Sequence, residues 1–441
     1  MGLYDEGAPV RVFMLGWEFP PFISGGLGTA CYGLTKALDQ MGAKVTFVLP
    51  KAVDSEYVTH VRLLTPSHKR RRRRDGTLAE REFQNVTMRS ILSPLRPYQT
   101  PESYDERMEE IIRRQREALG PLENAAEMHG GQDYAGNLYR EVQRYASVAA
   151  EMAQGEEFDV IHAHDWMTYP AGLAVAAMSG KPLIVHIHST EFDRSGEHVN
   201  QIVYDIEREG MLRADRVIAV SHFTRGVVIS RYGIPADKVD VVYNGVERNG
   251  NWTVGGPASI RRDEKLVLFL GRITMQKGPE YFLQAARKVL DVMDNVKFVM
   301  AGSGDLMYRS VEMAAQLGIG HKVLFTGFLR GEDVRRIYRM ADLYVMPSVS
   351  EPFGIAPLEA LDNDVPVIIS KQSGVSEVLR HALKVDFWDV NEMANKIVAV
   401  LRYAPLQMTL RNHGNFEVRK LRWKDAARGC MRIYQEMLVT V

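Results

Sequence analysis

Short apolar runs alternate with amphipathic stretches of helical length along most of the chain. The first run, "VRVFML", is followed by a glycine-rich turn, the segment "TACYGLTKALDQ" with Gly42 as its stop, and then "KVTFVL". Uninterrupted apolar runs suit strands buried on both faces of a parallel sheet, so this stretch predicts a strand–helix–strand unit. The rhythm returns in "FDVIHAH", "PLIVHIH", "DRVIAVS" and "KVDVVYNG", with helices between. It is broken over residues 53–135, which hold the basic run "HKRRRRRDG" and charged helical patterns such as "ERMEEIIRRQREAL". That segment reads as an insertion.

A polar stretch rich in glycine and asparagine, residues 246–264, reads as a linker. A second series follows: "KLVLFLG", "VKFVMAG", "KVLFTG", "DLYVMPS" and "VPVIIS". The pattern therefore predicts an α/β protein of two domains, residues 1–245 and 265–420, facing across a cleft. A terminal helix follows over residues 421–441. Ligands of such sheets bind beyond the carboxyl ends of the strands.

Composition narrows the class. The 441 residues carry a net charge of zero and include only Cys31 and Cys430 as cysteines. A balanced charge gives no general attraction to polyanions, and the insertion is poor in the aromatics that stack on bases, so nucleic acid is not an expected partner. The run Arg70–Arg74 reads as a solvated surface. No apolar stretch approaches the ~20 residues needed to span a bilayer. The start of the chain lacks the basic-then-apolar order of a signal peptide. The expected setting is the cytoplasm, and membrane association is not expected.

The segment "SEPFGIAPLEAL" places Glu351 and Glu359 on either side of a helix start near Gly354. First-turn amides have no intrahelical partners and favour a phosphate. Two carboxylates beside a phosphate must serve its neighbours, and carboxylates accept hydroxyl protons well. A nucleotide-sugar has the matching order of ribose diol, diphosphate and sugar hydroxyls. In this reading the amides of Phe353, Gly354 and Ile355 face the diphosphate. Glu351 takes the sugar hydroxyls, and Glu359 leans back to the ribose. "LGRITMQKG" adds Arg272 and Lys277 after the first strand of the second domain, where they would stabilise a leaving diphosphate.

Other motifs carry less. Gly302 and Gly304 of "AGSGDL", and Gly25, Gly26 and Gly28 of "FISGGLGTA", permit close approach of a ligand or simply form tight turns. "HAHDW" ends a strand with an imidazole, an acid and the Trp166 ring, the components of a sugar site. His162 and His164 share a strand face and with Asp165 form a candidate metal set. No further ligand cluster accompanies them, and no metal is expected. "HIHSTEFDRSG" is a second polar strand end, with His188, Glu191 and Arg194. Asp362 and Asp364 of "DND" lie on the amino side of the next strand and read as a turn.

"GRITMQKG" followed by "EPFGIAPLE" resembles the donor signature of retaining GT-B glycosyltransferases of the GT4 type. "GWEFPPFISGGLG" and "HAHDW" resemble bacterial glycogen and starch synthases. Outside the insertion the resemblance covers most of the chain. It implies two Rossmann-like domains, a nucleotide-sugar bound mainly by the second, no required metal or other cofactor, and a terminal helix that packs back on the first domain. It makes Arg272, Lys277 and Glu351 the essential donor residues. It sets His164 near the transferred sugar and Glu359 on the ribose. Ser24 stands where many glycogen synthases have lysine, and Glu359 is kept where many lack a second glutamate. The expected activity is glucose transfer from ADP-glucose or UDP-glucose to the non-reducing end of an α-1,4-glucan. A lipid or small-sugar acceptor, a nucleotide-sugar epimerase and a carbohydrate-binding protein are the alternatives.

Overall fold

The computed structural model describes residues 9–19, 25–51, 84–92, 138–247 and 264–440. The Arg70–Arg74 run and most of the expected linker lie outside these residues. The chain resolves into two compact units. One comprises Met1–His186, Ile206–Val217 and Met431–Val441; the other comprises Ile187–Asp205 and Ile218–Cys430.

Thirteen strands among the described residues form two sheets, and every strand pair with a recorded register is parallel. The first holds β1 (Arg11–Leu15), β2 (Lys44–Lys51), β3 (Val86–Leu92), β4 (Val160–His164), β5 (Leu183–Ile187), β6 (Arg216–Ala219) and β7 (Val239–Val241). Its order is β3-β2-β1-β4-β5-β6-β7. The second holds β8 (Lys265–Leu270), β9 (Val296–Ala301), β10 (Val323–Gly327), β11 (Leu343–Met346), β12 (Val367–Ser370) and β13 (Leu383–Val385). Its order is β10-β9-β8-β11-β12-β13. In each sheet the winding reverses once, between β1 and β4 and between β8 and β11. Those switch points open crevices at the carboxyl ends of the strands.

The second sheet shows why continuous apolar runs were required. Val267, Phe269, Phe298, Met300, Val345 and Ile368 face one core, shared with Phe282, Val289, Ile397 and Val400 of covering helices. The intervening Leu266, Leu268, Val299, Tyr344, Met346, Val367 and Ile369 face the other, with Leu358 and Leu361 of the helix Ile355–Asp362. Period-two alternation puts neighbours on opposite faces, and both faces are dry.

One expectation needs correction. Residues 53–135 are not wholly an insertion, because β3 lies within them and pairs with β2 from Val45↔Val86 to Lys51↔Leu92. The charged helical pattern expected further along that segment lies outside the described residues. The "DND" segment is a turn as expected: Asp364 adopts φ 62° three residues before β12, and Asp362 ends a helix.

Candidate active site

The switch point of the second sheet brings together the loops after β8 and β11. These carry the two motifs singled out in the sequence. Three glycines fix the first loop. A Cβ on Gly302 would lie 1.8 Å from the Gly271 carbonyl oxygen, and Gly302 has φ +146°. A Cβ on Gly304 would lie 2.3 Å from the Ile273 carbonyl oxygen. Gly278 (φ +63°) similarly meets the Pro347 carbonyl oxygen at 2.2 Å. Close approach at Gly302 and Gly304 is thus loop against loop. These glycines bring the Arg272 segment next to the turn after β9, with Ile273 N donating to Ser303 O at 2.9 Å.

Within this frame Lys277 Nζ donates to Glu351 Oε2 at 2.5 Å, with the two side chains 21% and 9% exposed. Ser348 Oγ donates to the same carboxylate oxygen at 3.2 Å. The Glu351 backbone is clamped as well: its N–H donates to Gln372 O at 3.0 Å, and its carbonyl accepts from Gly374 N at 2.9 Å. Gln276 was not singled out from sequence, yet it joins the two loops. Its side-chain oxygen accepts from Arg272 Nη2 at 3.0 Å, and its carbonyl accepts from Val349 N at 2.9 Å. A buried amide between two cationic motif positions was the available signal. The Thr274 hydroxyl, enclosed in the same loop, has no hydrogen-bond partner among the described residues.

Gly354 caps the helix Ile355–Asp362 at φ 103°, a conformation that favours glycine. Phe353 is buried beneath it, and its carbonyl accepts from Val375 N at 2.6 Å. Glu359 sits one turn into the helix and accepts from the Tyr338 hydroxyl at 3.1 Å. Burial, then the charge of Asp362, raises its carboxyl above the usual range; the Tyr338 hydrogen bond pulls the other way. Burial and the Glu359 charge hold Tyr338 protonated, so it remains the donor. Lys277, Glu351, Gly354 and Glu359 therefore lie on adjoining loops and one helix, around a terminus suited to an anion.

The first sheet's switch point is arranged differently. Gly25 precedes the helix Gly26–Gln40, and the Gly28 amide in its first turn donates to the buried Glu18 carboxylate at 3.1 Å. That carboxylate takes the place expected of a ligand's anion. His164 is wholly enclosed, stacked on His162 with centroids 4.4 Å apart and parallel to Phe47. Trp166 is not an open ring face: it is 5% exposed and packs edge-on to Trp17. Asp165 adopts φ 58° at the turn between them.

A third imidazole joins the pair, contrary to the expectation that no further ligand cluster exists. Parallel pairing of β4 with β5 sets His186 opposite His164. Ring nitrogens of His162, His164 and His186 lie within 4.8 Å of one another. As they stand, His162 Nε2 and His186 Nδ1 share a hydrogen bond at 3.1 Å, and His162 Nδ1 meets the Tyr434 hydroxyl at 2.6 Å.

The second polar strand end belongs to the other unit. Burial pushes His188 down to about 3, so its imidazole is neutral. Glu191 accepts from Arg194 Nε at 3.1 Å and from the Asn200 amide at 3.0 Å. Neither candidate charge is thus idle: each has a partner within the same short segment.

Comparison with known proteins accords with this arrangement. Residues 256–415 match the family described as glycosyl transferases group 1, and residues 123–249 match glycosyltransferase family 4. An uncharacterized glycosyltransferase of Methanocaldococcus jannaschii is 38% identical over 238 residues, which are 51% of this chain and 61% of that protein. A D-inositol 3-phosphate glycosyltransferase of Frankia alni is 30% identical over 307 residues, 64% of this chain and 75% of the relative. The chain thus spans 61% of the length of the first relative. Sucrose-phosphate synthase from Thermosynechococcus elongatus superposes with a TM-score of 0.72 at 19% identity, over 98% of this chain and 100% of that one. The two parallel-sheet domains have the GT-B fold. With residues 123–249 and 256–415 matched by such families, and with a relative 30% identical matched over 75% of its length, the chain belongs to the glycosyltransferases of group 1 and family 4.

Proposed function

We propose that this protein transfers a hexose from a nucleoside-diphosphate sugar to a hydroxyl acceptor, with retention at the anomeric carbon. The Lys277–Glu351 pair, set beside the helix that starts after Gly354, is the observation that carries the reading. A diphosphate lying over the Gly354 and Ile355 amides competes with Glu351 for Lys277, and Arg272 adds a second cation. Glu351, relieved of its cation, accepts from sugar hydroxyls, and Glu359 accepts from the ribose. As the glycosidic bond breaks, negative charge collects on the diphosphate, where fixed cations and amides stabilise it most. The acceptor hydroxyl attacks from the face the diphosphate leaves and gives its proton to the departing diphosphate oxygen. Nothing in this sequence of contacts uses a metal. His164 is given no contact, because its ring is enclosed.

The acceptor follows from separate features. "GWEFPPFISGGLG" and "HAHDW" support an α-glucan extended at its non-reducing end. The burial of Trp166 favours a second reading, in which the acceptor is a small polyol or phosphorylated polyol that needs no ring platform. The Frankia relative, a D-inositol 3-phosphate glycosyltransferase, supports that second reading. Among the described residues no helix is long and apolar enough to cross a membrane. We place the reaction in the cytoplasm.

Incubation with radiolabelled ADP-glucose and UDP-glucose tests the reading. Parallel reactions contain glycogen, inositol phosphate, a lipid extract or no acceptor. Label in an α-glucan supports the first acceptor, and label in the inositol phosphate supports the second. Donor left intact in every mixture by folded protein overturns the transferase reading.

A further inference from the structure

The short helix Glu191–Ser195 begins with a capping box. Thr190 Oγ1 accepts from Asp193 N at 3.4 Å, while Asp193 Oδ2 accepts from Thr190 N at 2.7 Å and from Thr190 Oγ1 at 2.8 Å. One oxygen on the cap amide is enough to satisfy such a box. Asp193 is 3% exposed. Burying a carboxylate costs free energy unless its remaining oxygen is also satisfied. Here Oδ1 accepts from the Ser350 hydroxyl, 157 residues away in sequence.

Ser350 directly precedes Glu351. Its other neighbour, Val349, donates its amide to Gln276 O at 2.9 Å, which ties the segment to the Lys277 turn. The helix also touches that turn, since a Cβ on Gly196 would lie 3.8 Å from Met275 Cε. One five-residue helix thus bears on both loops that hold the Lys277–Glu351 pair, and all these residues belong to one unit. Cap formation alone does not explain a carboxylate that is buried and shared with Ser350.

We infer that Asp193 is a positioning residue for hexose transfer: through Ser350 it fixes the orientation of Glu351 towards the donor sugar. This role rests on the functional reading above. It assigns Asp193 no contact with substrate. It predicts that loosening the link harms turnover more than nucleotide binding, because Arg272, Lys277 and the helix amides are untouched.

The test compares Asp193→Ala, Ser350→Ala, their double variant and Thr190→Val. Readouts are kcat, donor KM, nucleoside-diphosphate affinity by calorimetry, and melting temperature. Asp193→Ala and Ser350→Ala should each lower kcat about 10- to 100-fold, the scale of a misplacement of up to an ångström. Nucleoside-diphosphate affinity should change by less than about 3-fold, and the double variant should be no slower than the worse single one, as expected of residues acting through one contact. Ser350→Thr, which keeps the hydroxyl, should recover much of the rate. Thr190→Val breaks the side-chain half of the cap and should lower the melting temperature with little change in kcat. The inference is overturned if Thr190→Val slows turnover as much as Asp193→Ala, or if the two single losses multiply. A wild type that transfers to no acceptor overturns the functional reading and this role together. An active wild type with uncoupled Asp193 and Ser350 overturns this role alone.

Discussion

Lys277 and Glu351 are 74 residues apart in sequence, yet their charged groups meet at 2.5 Å beside the helix that begins after Gly354. Each belongs to a loop at the switch point of the second sheet, so the fold alone brings them within reach. Glu351 is buried and Lys277 half-buried, so water compensates the pair only in part. Removing one partner leaves the other charge poorly compensated. In the proposed reaction an incoming diphosphate would supply the replacement anion for Lys277, so the pair has the form of a site held ready by its own counter-ion.

Lys277→Ala should remove a charge that stabilises the leaving diphosphate and lower turnover by about 100-fold or more. Glu351→Gln should lower kcat, because its proposed partner is the sugar, and should keep or raise nucleoside-diphosphate affinity, because the carboxylate that competes for Lys277 is gone. Steady-state kinetics and calorimetry on variants with native circular dichroism measure both. Wild-type turnover in folded Lys277→Ala removes the donor assignment.

The two glycine loops separate under substitution. Gly302→Ala places a Cβ 1.8 Å from the Gly271 carbonyl oxygen at φ +146°, and the Arg272 loop must move to admit it. It should cost more than about 2 kcal/mol of stability and weaken donor binding. At Gly26 a Cβ meets nothing within 4 Å and the residue is helical. Gly26→Ala should be neutral or stabilise by up to about 1 kcal/mol. Urea denaturation measures both. A loss of donor affinity in Gly26→Ala, with stability intact, would restore that glycine to the binding site.

Much of the architecture was written in local pattern. Apolar runs such as "KLVLFLG" and "VPVIIS" are strands because both faces of the sheet are covered, and the donor motifs fall where those strands end. β3 escaped notice because an edge strand carries polar residues: Arg89 pairs with Glu156 at 2.7 Å. The His164–His186 contact depends on the register between β4 and β5, and the Asp193–Ser350 contact spans 157 residues. Neither follows from spacing along the chain. Trp166 was legible as a residue type but not as a buried ring, since its burial depends on Trp17 from another strand end.

Tyr434→Phe deletes the hydroxyl that meets His162 Nδ1 at 2.6 Å inside a dry core. Loss of one such buried contact should destabilise the protein by about 1–3 kcal/mol. Both ring nitrogens of His162 are engaged, by Tyr434 and by His186, so exhaustive chelation should leave both stability and transfer unchanged. Elemental analysis showing one bound metal per chain, lost in His186→Ala together with activity, would contradict the metal-free reading.

The raised pKa of Glu359 ties stability to pH. Burial and the Asp362 charge raise its carboxyl in the folded protein, so the fold holds a proton there that the unfolded chain releases more readily. The wild type should therefore lose stability as pH rises from the ordinary glutamate value, about 4.3, through the higher folded value. Glu359→Gln has no proton to lose and still accepts from Tyr338. It should be more stable than the wild type at neutral pH, with the gain vanishing below about pH 4, where the glutamate is protonated in both states. Its affinity for a nucleoside diphosphate should fall by about 10-fold, because a charged acceptor on the ribose diol is replaced by a neutral one. Denaturation at several pH values and calorimetry at neutral pH read the two effects separately. A variant less stable than the wild type at neutral pH would show that Glu359 is stabilised as a carboxylate. Unchanged nucleotide affinity would remove it from the ribose site.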